Sequence, residues 1–176
     1  MKDLELLRYP IGKFKAPDVI DDKQLEIWIK TLEELPEKFS AIVKNLSDSQ
    51  LDTPYRPGGW TIRQVVHHVA DSHHNSYTRF KWGLTEDTPV IKVYLEDRWA
   101  ALFDTKSSPI QPSLDYLKVL HYKLTYLIRG LSKEQLARTF IHPETNQETS
   151  LLENVGRYAW HGSHHYAHIE NAVKNS

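Results

Sequence analysis

Ten histidines and no cysteine stand in a chain of 176 residues. Eight of the ten fall in two short windows: His67, His68, His73 and His74, then His161, His164, His165 and His168. Clustered imidazoles suit Zn²⁺, Ni²⁺, Co²⁺ or Cu²⁺ and suit Ca²⁺ or Mg²⁺ poorly. Three histidine ligands would leave one coordination position open, as a catalytic metal requires. The absence of cysteine removes a disulfide framework, a thiolate metal site and a cysteine nucleophile. His161-Gly162-Ser163-His164-His165 has no Glu after its first His, so it is not the zincin helix motif. A single histidine on a helix flank is more often a surface or hydrogen-bonded core residue than a ligand. His121 and His142 are read that way, as a helix-face residue and a loop residue before Pro143.

Helices must position these side chains. Residues 1–20 contain Pro10, Gly12 and Pro17 without periodicity, which predicts an extended arm lying on the domain. A first helix starts near Asp21-Asp22, with Leu25, Trp28, Ile29, Leu32, Leu35, Phe39, Ile42 and Val43 at three- and four-residue steps. Pro36 inside it should kink or split it. Pro57-Gly58-Gly59 breaks the chain, and Thr61 can cap a second helix ending near Gly83-Leu84-Thr85. Residues 85–112, with Pro89, Pro109 and Pro112, are too long for a hairpin loop and hold one short apolar piece around Trp99. Ser113 would cap a third helix running from Leu114 to Ile128. A fourth runs from Ser150 or Leu151 to about Lys174. Leu46-Ser47-Asp48-Ser49-Gln50-Leu51 and Leu131-Ser132-Lys133-Glu134-Gln135-Leu136 share a Leu-Ser-x-x-Gln-Leu form, the pattern of a capped short helix. Each leads into a histidine-bearing helix. Two such hairpins joined by a long crossover make an all-α four-helix bundle, residues 1–176 forming one domain, in which the second and third helices can run parallel.

Bundles build metal sites from inward side chains on facing helices. At about 100° per residue, Val155, Ala159, Tyr166, Ile169 and Val173 set the apolar centre of the fourth helix. His161 and His165, at i and i+4, stand on one flank of it; the rival pair His164 and His168 is centred further toward solvent. On the second helix His67 and His68 lie on opposite flanks of the face set by Ile62, Val66, Val69 and His73. His68 keeps the more apolar company, beside Val65 and Ser72. Geometry therefore favours His68, His161 and His165 over their neighbours.

The stretch from Leu51 to Ser72, with Pro57-Gly58-Gly59-Trp60-Thr61-Ile62-Arg63-Gln64-Val65-Val66-His67-His68 at its centre, resembles the signature of the YfiT-like metal-dependent hydrolases of the DinB-like superfamily. Tyr9-Pro10-Ile11-Gly12 and Tyr158-Ala159-Trp160-His161-Gly162-Ser163-His164-His165 match as well, so the resemblance covers nearly the whole chain. It implies a four-helix bundle with parallel second and third helices and a homodimer. It also implies one divalent metal per chain, Zn²⁺ or alternatively Ni²⁺, on the second His of the His-His pair and on two fourth-helix His at i and i+4. Those are His68, His161 and His165. Gly162 between the last two departs from good helix composition, at about 1 kcal/mol relative to Ala, and admits a close neighbour. The implied reaction is metal-dependent hydrolysis of a small-molecule substrate. Some relatives are instead S-transferases using bacillithiol or another small thiol, and a non-catalytic metal site is the third alternative. In a chain without cysteine, any thiol must arrive as a cosubstrate.

Asp71 and Gln64 are within reach of the second-helix histidines and could orient a ring nitrogen. Trp60, Tyr55, Tyr77, Trp99 and Trp160 are candidates to line a pocket, and no general base stands out. The 22 Lys and Arg against 23 Asp and Glu give no basic excess for nucleic acid or an anionic membrane. Mean hydropathy is −0.55, and no run approaches the roughly 20 apolar residues of a membrane span. Charges interrupt the first eight residues, so no secretory signal is visible and a cytoplasmic location is expected.

Overall fold

A computed structural model describes residues 4–174; Met1, Lys2 and Asp3 of the expected arm lie outside the described residues, as do Asn175 and Ser176. In chain order the elements are α1 (Leu4–Arg8), α2 (Asp22–Val43), α3 (Asp48–Leu51), α4 (Ile62–Thr85), α5 (Glu96–Ala100), α6 (Phe103–Ser107), α7 (Gln111–Arg129), α8 (Lys133–Leu136), β1 (Thr139–His142), β2 (Gln147–Ser150) and α9 (Leu151–Lys174). The four long helices α2, α4, α7 and α9 form the bundle.

Side-chain contacts give the helix directions. His67 meets Ser113 and His73 meets His121, so residue numbers rise together and α4 and α7 run parallel. Along α4 and α9 they run oppositely: Ser76 meets Asn154, and His68 meets His161. The crossover between α4 and α7 makes the parallel pair possible, as expected for a long connection. It is more ordered than its prolines suggest. It forms α5 and α6, buries Ile91 and Tyr94, and bridges Val90 to Ile141 in β1.

Caps follow the sequence closely. Asp21 caps α2, and Ser47, Thr61 and Ser132 form complete capping boxes with Gln50, Gln64 and Gln135. Ser113 does not cap α7. That helix starts at Gln111 behind Ile110, with Pro112 in its first turn, and the Ser113 hydroxyl is taken by His67 Nδ1 at 2.7 Å. The arm is also not wholly extended. Leu4–Arg8 is helical, with Glu5 at its start and Arg8 at its end, charges that complement the helix dipole. Gly12, at φ 76°, then turns the chain, and its carbonyl accepts from Trp160 Nε1 at 3.2 Å. The sequence gives no strand signal for β1 and β2, which pair antiparallel from Thr139–Ser150 to His142–Gln147.

Two apolar clusters fill the bundle. One gathers Leu35, Phe39, Val66, Val69, Leu117 and Ile169. The other gathers Ile29, Leu32, Phe80, Leu124, Val155 and Tyr158. Along α4, α7 and α9 the stretches between these clusters hold histidines: His73, His121, His161, His164, His165 and His168. Pro36 neither splits nor ends α2. Without an N–H it cannot bond the carbonyl four residues back, which is that of Leu32. That carbonyl accepts from His121 Nδ1 at 2.6 Å instead.

Candidate metal centre

His68 from α4 meets His161 and His165 from α9. One ring nitrogen of each lies within 4.8 Å of the others, and no fourth His, Asp or Glu joins them among the described residues. The Nε2 atoms of His68 and His161 are 3.2 Å apart. Zinc–nitrogen bonds of about 2.0–2.1 Å at tetrahedral angles would hold ligand nitrogens about 3.3 Å apart. Donor chemistry and spacing therefore fit a divalent transition metal.

Hydrogen-bond direction supplies a second test of fit. A carbonyl only accepts, so His121 Nδ1 donates to Leu32. Burial pushes His121 down to about 4, so the ring is neutral and its Nε2 must accept. The donor is His73 Nδ1, 2.9 Å away. His73 Nε2 then accepts from His161 Nδ1 at 3.1 Å, which leaves His161 Nε2 without a proton. A second chain starts at the Arg8 carbonyl, one of the end carbonyls of α1. His168 Nε2 donates to it at 3.1 Å. Its Nδ1 then accepts from His165 Nδ1 at 3.4 Å, leaving the His165 Nε2 bare. His68 Nδ1 is 3.2 Å from the Tyr94 hydroxyl. Burial holds that phenol protonated and holds His68 down to about 3. Two peptide carbonyls thus set the tautomers of two imidazoles that present bare nitrogens to one point.

The centre sits in a cavity of about 500 Å³ whose walls include Tyr9, Trp60, Tyr94, Tyr158 and Trp160. Trp60 lies against His68, ring centroids 4.6 Å apart. Of the aromatics singled out from sequence, Tyr55, Trp60 and Trp160 line the cavity. Tyr77 and Trp99 do not; Trp99 packs edge-on against Tyr94 from behind. Asp71 and Gln64 orient no ring. Gln64 Nε2 donates to the Ala100 carbonyl, and Asp71 faces a separate recess with His67 and Asp104. His164 and His168 are buried, against the expectation that they lie toward solvent. The arm covers them: Arg8 accepts from His168, and the Tyr9 ring lies 5.9 Å from His164. His121 is a hydrogen-bonded core residue of α7 and no ligand of the centre, in line with its reading as a helix-face residue, whereas His142 ends β1 rather than lying in a loop. Helical angles cannot show cover supplied by a distant segment. The crossover and hairpin add groups that no periodicity points to: Tyr94, Glu96, Asp97, His142 and Glu144, joined by Arg79 of α4.

Comparison with known proteins agrees with this architecture. The DinB superfamily model matches residues 31–169. A Bacillus cereus protein named "Putative metal-dependent hydrolase" is 51% identical over 168 residues, covering 96% of each chain. YfiT from Bacillus subtilis, described as a probable metal-dependent hydrolase with an unusual four-helix bundle topology, is 48% identical with a TM-score of 0.95 over 97% of each chain. A mycothiol-dependent maleylpyruvate isomerase shares the fold alone, at 13% identity and a TM-score of 0.61, over 80% of this chain and 60% of its own. With its fold, its crossover and most of its length accounted for in this way, the chain belongs to the DinB superfamily.

Proposed function

We propose that the protein is a metal-dependent hydrolase of a small-molecule substrate, with one divalent ion, Zn²⁺ or alternatively Ni²⁺, held by His68, His161 and His165. The observation that carries this reading is the convergence of the three imidazoles at a cavity wall with no fourth protein ligand among the described residues. A metal bound there would polarise a substrate oxygen and lower the pKa of a nucleophile at its open position. His73, His168 and Tyr94 hold the three rings in place. The aromatic walls limit water and orient an apolar part of the substrate. Glu96, Asp97 and Glu144 at the cavity are the carboxylates within the site that can take up a proton. A homodimer, implied by the family resemblance, belongs to the same proposal and is checked by sedimentation.

Metal content is measured for the wild type and for His68→Ala, His161→Ala and His165→Ala. The metal-loaded protein is then assayed with ester, amide and phosphate substrates, and separately with a small thiol plus an electrophile. The expected result is about one metal per chain, lost in the variants, and metal-dependent hydrolysis. Turnover only with the thiol selects an S-transferase. Metal without turnover in either panel selects a non-catalytic site.

A further inference from the structure

The chain has two buried arginines on α4, and they are satisfied very differently. Arg63, 5% exposed, donates to Asp52, Asp48 and the Ser108 carbonyl, at 2.7, 2.8 and 3.0 Å. Arg79, 8% exposed, makes one hydrogen bond among the described residues, from Nη1 to the Tyr158 hydroxyl at 3.2 Å. Among the described residues no carboxylate comes within ion-pair distance of it; the ion pairs of the chain's other arginines are at Arg63, Arg129, Arg138 and Arg157. A guanidinium carries five N–H donors, and burying its charge without a partner is costly. The partner of Arg79 therefore has to come from elsewhere.

The cavity supplies the place. Arg79 lines the same cavity as the three histidines. Tyr158, which receives its hydrogen bond, also lies against His161, ring centroids 5.6 Å apart. Arg79 thus flanks the His161 side of the centre. His142 of the hairpin lines the cavity too, and its Nδ1 is buried without a hydrogen-bond partner. Burial, then the neighbouring Arg79 charge, outweighs nearby Glu144 and Glu96 and lowers the proton affinity of its imidazole, which as the Nδ1–H tautomer can donate to a ligand from that unpartnered nitrogen.

We propose that Arg79 is the anchor for an oxyanion of the substrate, with His142 as its second contact, so that the substrate is an anionic small molecule. This rests on the reading of the cavity as a substrate site. A planar fork of donors matches a carboxylate or phosphate group, and a low-dielectric wall strengthens the pairing. The anion stands beside the centre rather than on it, which leaves the reacting group of the same substrate facing the three histidines. Glu96 and Glu144, which lie near His142 and line the same cavity, act as the filter: an anion not paired with Arg79 meets like charge.

The test uses the full-length protein with its metal content measured. Benzoate, phenylphosphonate and neutral benzamide are titrated by calorimetry. Both oxyanions bind and benzamide binds more weakly by about tenfold or more; the stronger of the two says whether the group is a carboxylate or a phosphorus oxyanion. Arg79→Gln weakens the oxyanions by about tenfold or more with metal content unchanged, and Arg79→Lys by less. His161→Ala keeps the binding, because the anion sits on Arg79. Equal binding of benzoate and benzamide, no binding of either oxyanion, or full affinity in Arg79→Gln overturns the proposal. So does loss of binding in His161→Ala alone, which would place the anion on the metal and leave the hydrolase reading standing. The comparison of benzoate with benzamide needs no variant and stands if Arg79→Gln does not fold.

Discussion

His121 Nδ1 donates to the carbonyl oxygen of Leu32 across the α2–α7 contact, at 2.6 Å. The carbonyl is available because Pro36, one turn on, has no N–H to offer it. Through His73, this bond fixes which nitrogen of His161 is bare. A helix-breaking residue in α2 thus bears on a ring of α9 with which it shares no bond.

The direction of that chain is measurable. Nitrogen NMR of the protein should place protons on Nδ1 of His121, His73 and His161 and leave His161 Nε2 bare. In His121→Leu the chain loses its fixed end, and His161 can carry its proton on Nε2. Metal affinity should then fall by about tenfold or more, measured against a chelator. A wild-type His161 protonated on Nε2, or unchanged affinity in the variant, would contradict the relay.

Glycine at two points of α9 admits α2. A Cβ on Gly156 would stand 2.6 Å from two ring carbons of Trp28, and one on Gly162 would overlap the Leu35 side chain. Alanine gains about 1 kcal/mol of helix propensity, but overpacking a close contact costs about 1–3 kcal/mol. Gly156→Ala, against a rigid ring, should be net destabilising and worse than Gly162→Ala, where a leucine can turn. Urea unfolding of the two variants checks the order.

Acid should unfold the protein early. His68, His73, His121, His161, His164, His165 and His168 are all held below their ordinary value of 6.5, chiefly by burial. Unfolded, they take up protons near 6.5, so the unfolded state binds more protons than the native one below that pH. Stability should fall as pH drops from about 6.5 toward the value of about 4 at which His121, His164 and His168 charge in place. Thermal midpoints from pH 8 to about 4 should show this slope, and His121→Leu should reduce it. A flat profile above pH 5 would refute it.

Asp71 has the opposite sign. Burial, then Asp104, raises its carboxyl from 3.8 to about 6. The native state therefore holds that proton more tightly than the unfolded chain does. Its contribution is full below 3.8 and is lost as pH rises through about 6. Asp71→Asn should be stabilising relative to the wild type above that pH, with the advantage vanishing near pH 4, in paired denaturation curves.

Much of this was legible in the residues. Hydrophobic period located the four long helices, and helix starts are written locally where a cap stands: Asp21 and Thr61 for α2 and α4, and the two Ser-x-x-Gln boxes for the short α3 and α8. The i, i+4 spacing and the apolar neighbours of His68 pointed to the three histidines that come together. Periodicity could not reach contacts made by segments without a period. The arm buries His164 and His168, the crossover brings Tyr94 to His68, and the hairpin brings His142 and Glu144 to the cavity. Asp71, close to His68 in sequence, orients nothing there, since it turns toward α6.

The sequence by itself determined a bundle with a long crossover and a cysteine-free, imidazole-rich centre, since period, capping and donor chemistry are properties of short stretches. Only the tertiary structure decided the work of the remaining histidines. His73, His121 and His168 link ring to ring and ring to peptide carbonyl. The direction of those links depends on which acceptor lies at the far end, and Leu32 and Arg8 reach it only when α2 and the arm have packed.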